Sequence, residues 1–243
     1  MAQQGAARSA GMMPAMAMKM RHTEVGLPAD GKWLDGILAH HPEVAGLVVL
    51  AERGGGTLAT SRGAFLGKAL EDAGFATLHV GLLSHEEDRR ASDVWHQVPA
   101  LTQRLAAVLE WIGHQPALRG LALGITARDA AAGAMVRLAG RGGALPIRAL
   151  ASRAGRPDLA GMEYLRSLAA PMLLLVGELD GDNLPANRQV LERLDCPREL
   201  AVVAGASRGF EEPGKLDEAG QILVRWFGRW LAAAPVSQPD NLA

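Results

Sequence analysis

The stretch Leu121-Ala-Leu-Gly-Ile-Thr-Ala-Arg-Asp129, running on into Ala130-Ala-Ala-Gly-Ala-Met-Val-Arg-Leu-Ala-Gly140, decides how the chain is read. The apolar run from Leu118 to Leu123, broken by Arg119 and Gly120, predicts a buried strand. An alanine-rich helix follows, with Asp129 near its start and Gly140 just past its end, as helix polarity and capping favour. Strand, tight turn, helix is the setting of the G-x-S-x-G turn, which lifts a serine hydroxyl above a parallel sheet. Here the five positions read Gly124-Ile125-Thr126-Ala127-Arg128. The first glycine is kept, threonine stands at the serine position, and arginine replaces the second glycine.

Outward from this unit, strand-like and helix-like segments alternate. Gly46 to Ala51, Phe75 to Leu83 and Pro171 to Gly177 are continuous apolar runs, as expected of strands covered on both faces of a parallel sheet. Shorter strands are predicted at Ile147–Ser152 and Glu199–Val203, and helices at Arg62–Ala73, Val98–Gly113, Asn187–Leu194 and Ala219–Ala232. Arg21–Leu27 and Lys32–Leu38 flank the turn signal Pro28-Ala29-Asp30-Gly31 and predict an N-terminal hairpin. The fold class is therefore α/β, a doubly wound, mostly parallel sheet with an N-terminal β-hairpin. Its site is expected in the loops at the carboxyl ends of the strands.

Composition narrows the functions. With 243 residues, 49% hydrophobic and 21% charged, the chain fits one large domain, expected over residues 21–233. A net charge of -1 argues against nucleic acid or an anionic membrane as partner, and no run reaches transmembrane length. The single cysteine, Cys196, points to a reducing, cytoplasmic setting. Met1–Met20 reads as a disordered leader, in preference to a signal peptide or a Cu(I)-binding methionine cluster, and residues 234–243 read as a tail. The seven histidines show no metal-ligand spacing, Gly54-Gly-Gly56 lacks the third glycine of a dinucleotide loop, and Gly67-Lys68 lacks the rest of a P-loop. No metal and no cofactor are expected.

The order of the remaining features is informative: Thr126 at the turn, Asp180 after a late strand, then the loop Ala204-Gly-Ala-Ser-Arg-Gly-Phe-Glu-Glu-Pro-Gly214. Nucleophile, acid, histidine is the order of the α/β-hydrolase fold. From Leu27 to Leu231 the chain resembles the dienelactone-hydrolase-like branch of that superfamily. The resemblance rests on Val48-Val-Leu-Ala51 with its glycine-rich loop, Ser152-Arg-Ala-Gly-Arg-Pro-Asp-Leu-Ala-Gly161, Leu173-Leu-Leu-Val-Gly-Glu-Leu-Asp180, and Gly205 with Phe210-Glu-Glu-Pro-Gly214. It implies an α/β-hydrolase-type sheet. It also implies that the family's serine, aspartate and histidine fall on Thr126, Asp180 and Arg208. The oxyanion-loop and elbow positions are then Glu52, Arg53, Gly54, Ala127 and Arg128.

At these positions the chemistry is degenerate. Arginine stays charged to a pH of about 12 and cannot serve as a base. A β-branched residue forced to positive φ costs about 1–3 kcal/mol. Loss of a triad member typically removes about 10⁴-fold in rate. His85, in the loop after the Phe75–Leu83 strand, is the candidate spare base, while His79 reads as a core histidine. The expectation is a pseudoenzyme that binds a small molecule or a protein partner. The alternative is a weak or repurposed carboxylic ester or lactone hydrolase. An Asp180–Arg208 ion pair is expected where the proton relay would have been.

Overall fold

The computed structural model describes residues 19–54, 58, 61–84, 86–87, 98–143 and 145–231. Eight strands form one sheet: β1 (Arg21–Ala29), β2 (Lys32–His40), β3 (Leu47–Gly54), β4 (Ala76–Leu83), β5 (Leu123–Arg128), β6 (Ile147–Gly155), β7 (Met172–Gly177) and β8 (Arg198–Val203). Their order across the sheet is β1-β2-β4-β3-β5-β6-β7-β8. The β1–β2 and β2–β4 pairings are antiparallel and all the others are parallel. The hairpin closes on Asp30 and Gly31, both at positive φ (52° and 69°), the two-residue turn whose twist matches the strands it joins.

The helices are α1 (Arg62–Asp72), α2 (Val98–His114), α3 (Asp129–Gly140), α4 (Met162–Arg166), α5 (Asn183–Leu191) and α6 (Lys215–Leu231). Alternation along the strands divides the core in two. Val48, Leu50, Ala151 and Leu173 pack with Leu66 and Leu70 of α1 and Leu223 and Phe227 of α6. Val49, Ala51, Ile125 and Leu174 face the other way, toward Leu101 and Leu105 of α2 and Met135 of α3. Among the described residues, no helix is long and apolar enough to cross a membrane.

One boundary corrects the expectation that matters most. The strand predicted at Leu118–Leu123 is displaced by five residues. Leu118 N–H donates to the Gln115 carbonyl at 3.0 Å and Gly120 has φ 86°, so the chain turns there and β5 begins at Leu123. Leu118 is buried from within that turn, so its apolar character reflects packing and not extension. Gly124 has a separate explanation. A Cβ at this position would lie 2.6 Å from the Phe227 ring, so glycine makes room for α6.

Candidate functional site

Because β5 runs on through Arg128, Thr126 lies inside the strand. It pairs with Leu50 on β3 and Ala151 on β6 and is 0% exposed, and its Oγ1 has no hydrogen-bond partner. The expected strained threonine at a turn is therefore overturned. The turn residue is Asp129, three positions later, with φ 49° as the first residue of α3. Aspartate enters the left-handed region at lower cost than a β-branched side chain, which explains the residue type. Ala127 and Ala131, both fully buried, stand two residues to either side of it, where a G-x-S-x-G turn would carry its glycines. Close strand–helix approach is completed from β6: a Cβ on Gly155 would come 2.5 Å from Ala132 Cβ, and Arg156 N–H donates to the Asp129 carbonyl at 2.9 Å.

Both carboxylate oxygens of Asp129 are ion-paired. Arg128 Nε lies 3.0 Å from Oδ2, and Arg208 Nη2, from the loop after β8, meets Oδ1. That loop is fixed by Glu212, whose carboxylate accepts from Ser207 N–H at 3.1 and 3.0 Å; the Ser207 amide holds the Glu212 carboxyl below its ordinary range. Arg62 of α1 reaches Glu211 of the same loop at 2.5 Å. Arg62, Arg128, Arg153 and Arg208 together line a pocket with only about 10 Å³ of free space. Two further non-glycine residues at positive φ, Ala154 (47°) and Phe210 (52°), also line it. Backbone strain and guanidinium groups are thus concentrated in one place.

Beneath this pocket is a buried ion pair. Glu52, near the end of β3, bonds through Oε1 to Arg153 Nη2 of β6, and His79 Nε2 of β4 stands 3.6 Å from the same oxygen. Burial pushes the Glu52 carboxyl upward, but the Arg153 guanidinium and the His79 imidazole outweigh it and hold the group down at about 2. The segment Glu52–Gly54, expected as an oxyanion loop, instead continues β3, and Gly54 pairs with Leu83 of β4. Arg53 belongs to the same strand. His85 lies outside the described residues.

The expected Asp180–Arg208 lock does not form. Asp180 is buried and caps the start of α5, its Oδ2 accepting from Asn183 Nδ2 at 2.8 Å and its Oδ1 from Asn183 N–H at 3.3 Å. Arg208 pairs with Asp129 instead, because Asp129 is the carboxylate the turn presents while Asp180 is already satisfied by its own helix. Sequence reasoning missed Asp129, Arg153 and Arg62 as site residues. A signal for Asp129 was present: an αL-tolerant acid between an apolar strand and an alanine run. Nothing in the pattern marked Arg153, which stands in a β-strand among small residues.

Among the described residues, none that lines the pocket carries an imidazole. A carboxylate held on both oxygens by guanidiniums is a weakened nucleophile, and arginine is not a base at neutral pH. What the arrangement does offer is four guanidiniums lining one pocket, each now paired with a carboxylate, and planar donors of this kind suit carboxylate or phosphate. Among the described residues, no group of three or more His, Cys, Asp or Glu could hold a metal ion.

Comparison with known proteins gives the following. No family model matches. The chain is 35% identical over 208 residues to two Mycobacterium tuberculosis proteins provisionally named as phosphoribosyl transferases; the match takes in 86% of this chain and 46% of theirs, so the chain spans about half their length. The crystal structure of a dienelactone hydrolase from Anabaena variabilis superposes with a TM-score of 0.80 at 30% identity, covering 87% of this chain and 99% of that one. A lidless α/β serine hydrolase from Xanthomonas campestris superposes with a TM-score of 0.70 at 22% identity, covering 88% and 97%.

Proposed function

This chain belongs to the dienelactone-hydrolase-like family of α/β-hydrolases, and from that premise we propose that its elbow binds a small anionic molecule without hydrolysing it. The observation that carries this reading is Asp129: the residue at the strained turn is a carboxylate with both oxygens ion-paired, to Arg128 and Arg208. An ordinary member needs a free nucleophile there and a base beside it. Thr126 is unavailable for attack because it is sealed inside β5.

Binding is supported by the arginines. Four guanidiniums line the pocket, and Arg153, although buried, leaves its Nε without an acceptor. The free space is too small for an organic ligand as it stands, so an anion enters by displacing the Asp129 carboxylate from the arginines. Calorimetric titration with inorganic phosphate and with acetate tests this. Asp129→Asn, which removes the internal competitor, is expected to bind at least about tenfold more tightly than the unaltered protein, and Arg208→Gln more weakly, a tenfold change being about 1.4 kcal/mol. Absence of binding in Asp129→Asn would contradict the proposal. The second reading, an ester or lactone hydrolase, draws on the 30% identity to the Anabaena dienelactone hydrolase. It requires Asp129 to be released from both arginines and a base to be brought in from elsewhere.

A further inference from the structure

A second cavity lies away from the elbow, between the N-terminal hairpin and α1. It holds about 640 Å³, within the range of small-molecule sites. Its walls include His22 and Glu24 of β1, Phe65 and Glu71 of α1, and Thr77 and His79 of β4. Glu71 is 8% exposed. Its Oε1 accepts from Thr77 Oγ1 at 2.8 Å and its Oε2 lies 2.9 Å from His22 Nε2, so among the described residues the buried carboxylate is held by a hydroxyl and an imidazole and not by a lysine or arginine. His79 is 5% exposed, and its buried Nε2 makes no hydrogen bond, with Glu52 Oε1 3.6 Å away. Buried polar groups left unsatisfied are uncommon and costly. Lys68, also on the wall, is engaged one helical turn on by Asp72. Phe65 is 45% exposed and offers an aromatic face at the same cavity.

We propose that this cavity is a ligand site distinct from the elbow, and that it takes a small organic ammonium ion. The ammonium supplies the cation that Glu71 lacks, with Glu24 adding negative potential and Phe65 a cation–π surface. The hydrophobic body of the ligand lies along Ile37, Leu58 and Ala64. The test uses phenethylammonium as probe, followed through the imidazole resonances of His22 and His79 by NMR. Saturable shifts of both are expected. Affinity is expected to fall at least tenfold in Glu71→Gln and in Phe65→Ala, the latter being an exposed position whose loss leaves the core intact. Neutral 2-phenylethanol is expected to bind at least tenfold more weakly than the ammonium. Absence of saturable shifts, equal binding of the alcohol, or affinity unchanged in both variants would overturn the proposal.

Discussion

The elbow pocket and the hairpin cavity each contribute one residue to Glu52, and they differ in what each lacks. Arg153 lines the first, His79 lines the second, and both approach Glu52 Oε1. The elbow is crowded with charge and short of room: four arginines line a pocket of about 10 Å³, and two of them, Arg128 and Arg208, already hold Asp129 by both oxygens. The cavity has room, a buried carboxylate held by a hydroxyl and an imidazole, and a second imidazole whose Nε2 makes no hydrogen bond. A working site normally combines space with unsatisfied polar groups. Here the pocket beside the turn is lined by ion-paired arginines, and the larger space lies between the N-terminal hairpin and α1.

The largest effect that would sharpen this contrast is at Glu52–Arg153. Removing one partner of a buried pair strands the other charge, which typically costs about 3–5 kcal/mol. Arg153→Met is therefore expected to lose that much in urea denaturation, while the double variant Glu52→Leu/Arg153→Met recovers most of it. A single variant as stable as the original would mean that the pair does not organise the wall between the two sites.

Acid should reach the same pair. The folded Glu52 carboxyl sits at about 2 against an ordinary 4.5, so the unfolded chain binds more protons between those values. The stabilisation is then fully present above about pH 4.5 and is lost as pH falls toward 2, up to about 3 kcal/mol in all. Denaturation midpoints measured from pH 6 to pH 2.5 are expected to fall, and less steeply in Glu52→Gln. Glu87, also held at about 2 by Arg104 and Ser84 against the opposing effect of its burial, adds a parallel slope that Glu52→Gln leaves in place.

A smaller effect is expected at the turn itself. Asp129→Ala forces a Cβ-bearing residue without a local hydrogen-bonding side chain to keep φ near 49°, whereas Asp129→Gly does not. The alanine variant is expected to be about 1 kcal/mol less stable than the glycine variant by thermal unfolding. Equal stability would show that the elbow relaxes once its ion pairs are gone, and that charge alone shapes it.

The architecture was legible in the residues because buried parallel strands leave continuous apolar runs. Val48-Val-Leu-Ala51 and Leu173-Leu-Leu-Val-Gly177 are such runs, and both are buried strands of the sheet. The site was not legible to the same degree, and Gly124 shows why. A glycine in this neighbourhood points to the turn, but its absent side chain serves Phe227 of α6, and the turn residue lies at Asp129, three positions beyond Thr126. Asp180 misled for a different reason: an acid after a late strand has the family's position, yet its oxygens are spent on capping α5. Arg208 was identified as a site residue, but its partner could not be, since pairing across 79 residues depends on which carboxylate the turn lifts clear of the sheet. Boundaries of a few residues decide chemistry here, and periodicity does not resolve them.

The central claim, that the elbow is closed to hydrolysis by its own ion pairs, is tested most directly by comparing the protein with its Asp129→Ala variant. Hydrolysis of p-nitrophenyl acetate and of a simple lactone would be followed for both under identical conditions. The expected result is equal rates, indistinguishable from those of the Thr126→Ala variant as well. A rate for the unaltered protein well above that of Asp129→Ala would contradict it, and would establish Asp129 as a working nucleophile despite its two arginines.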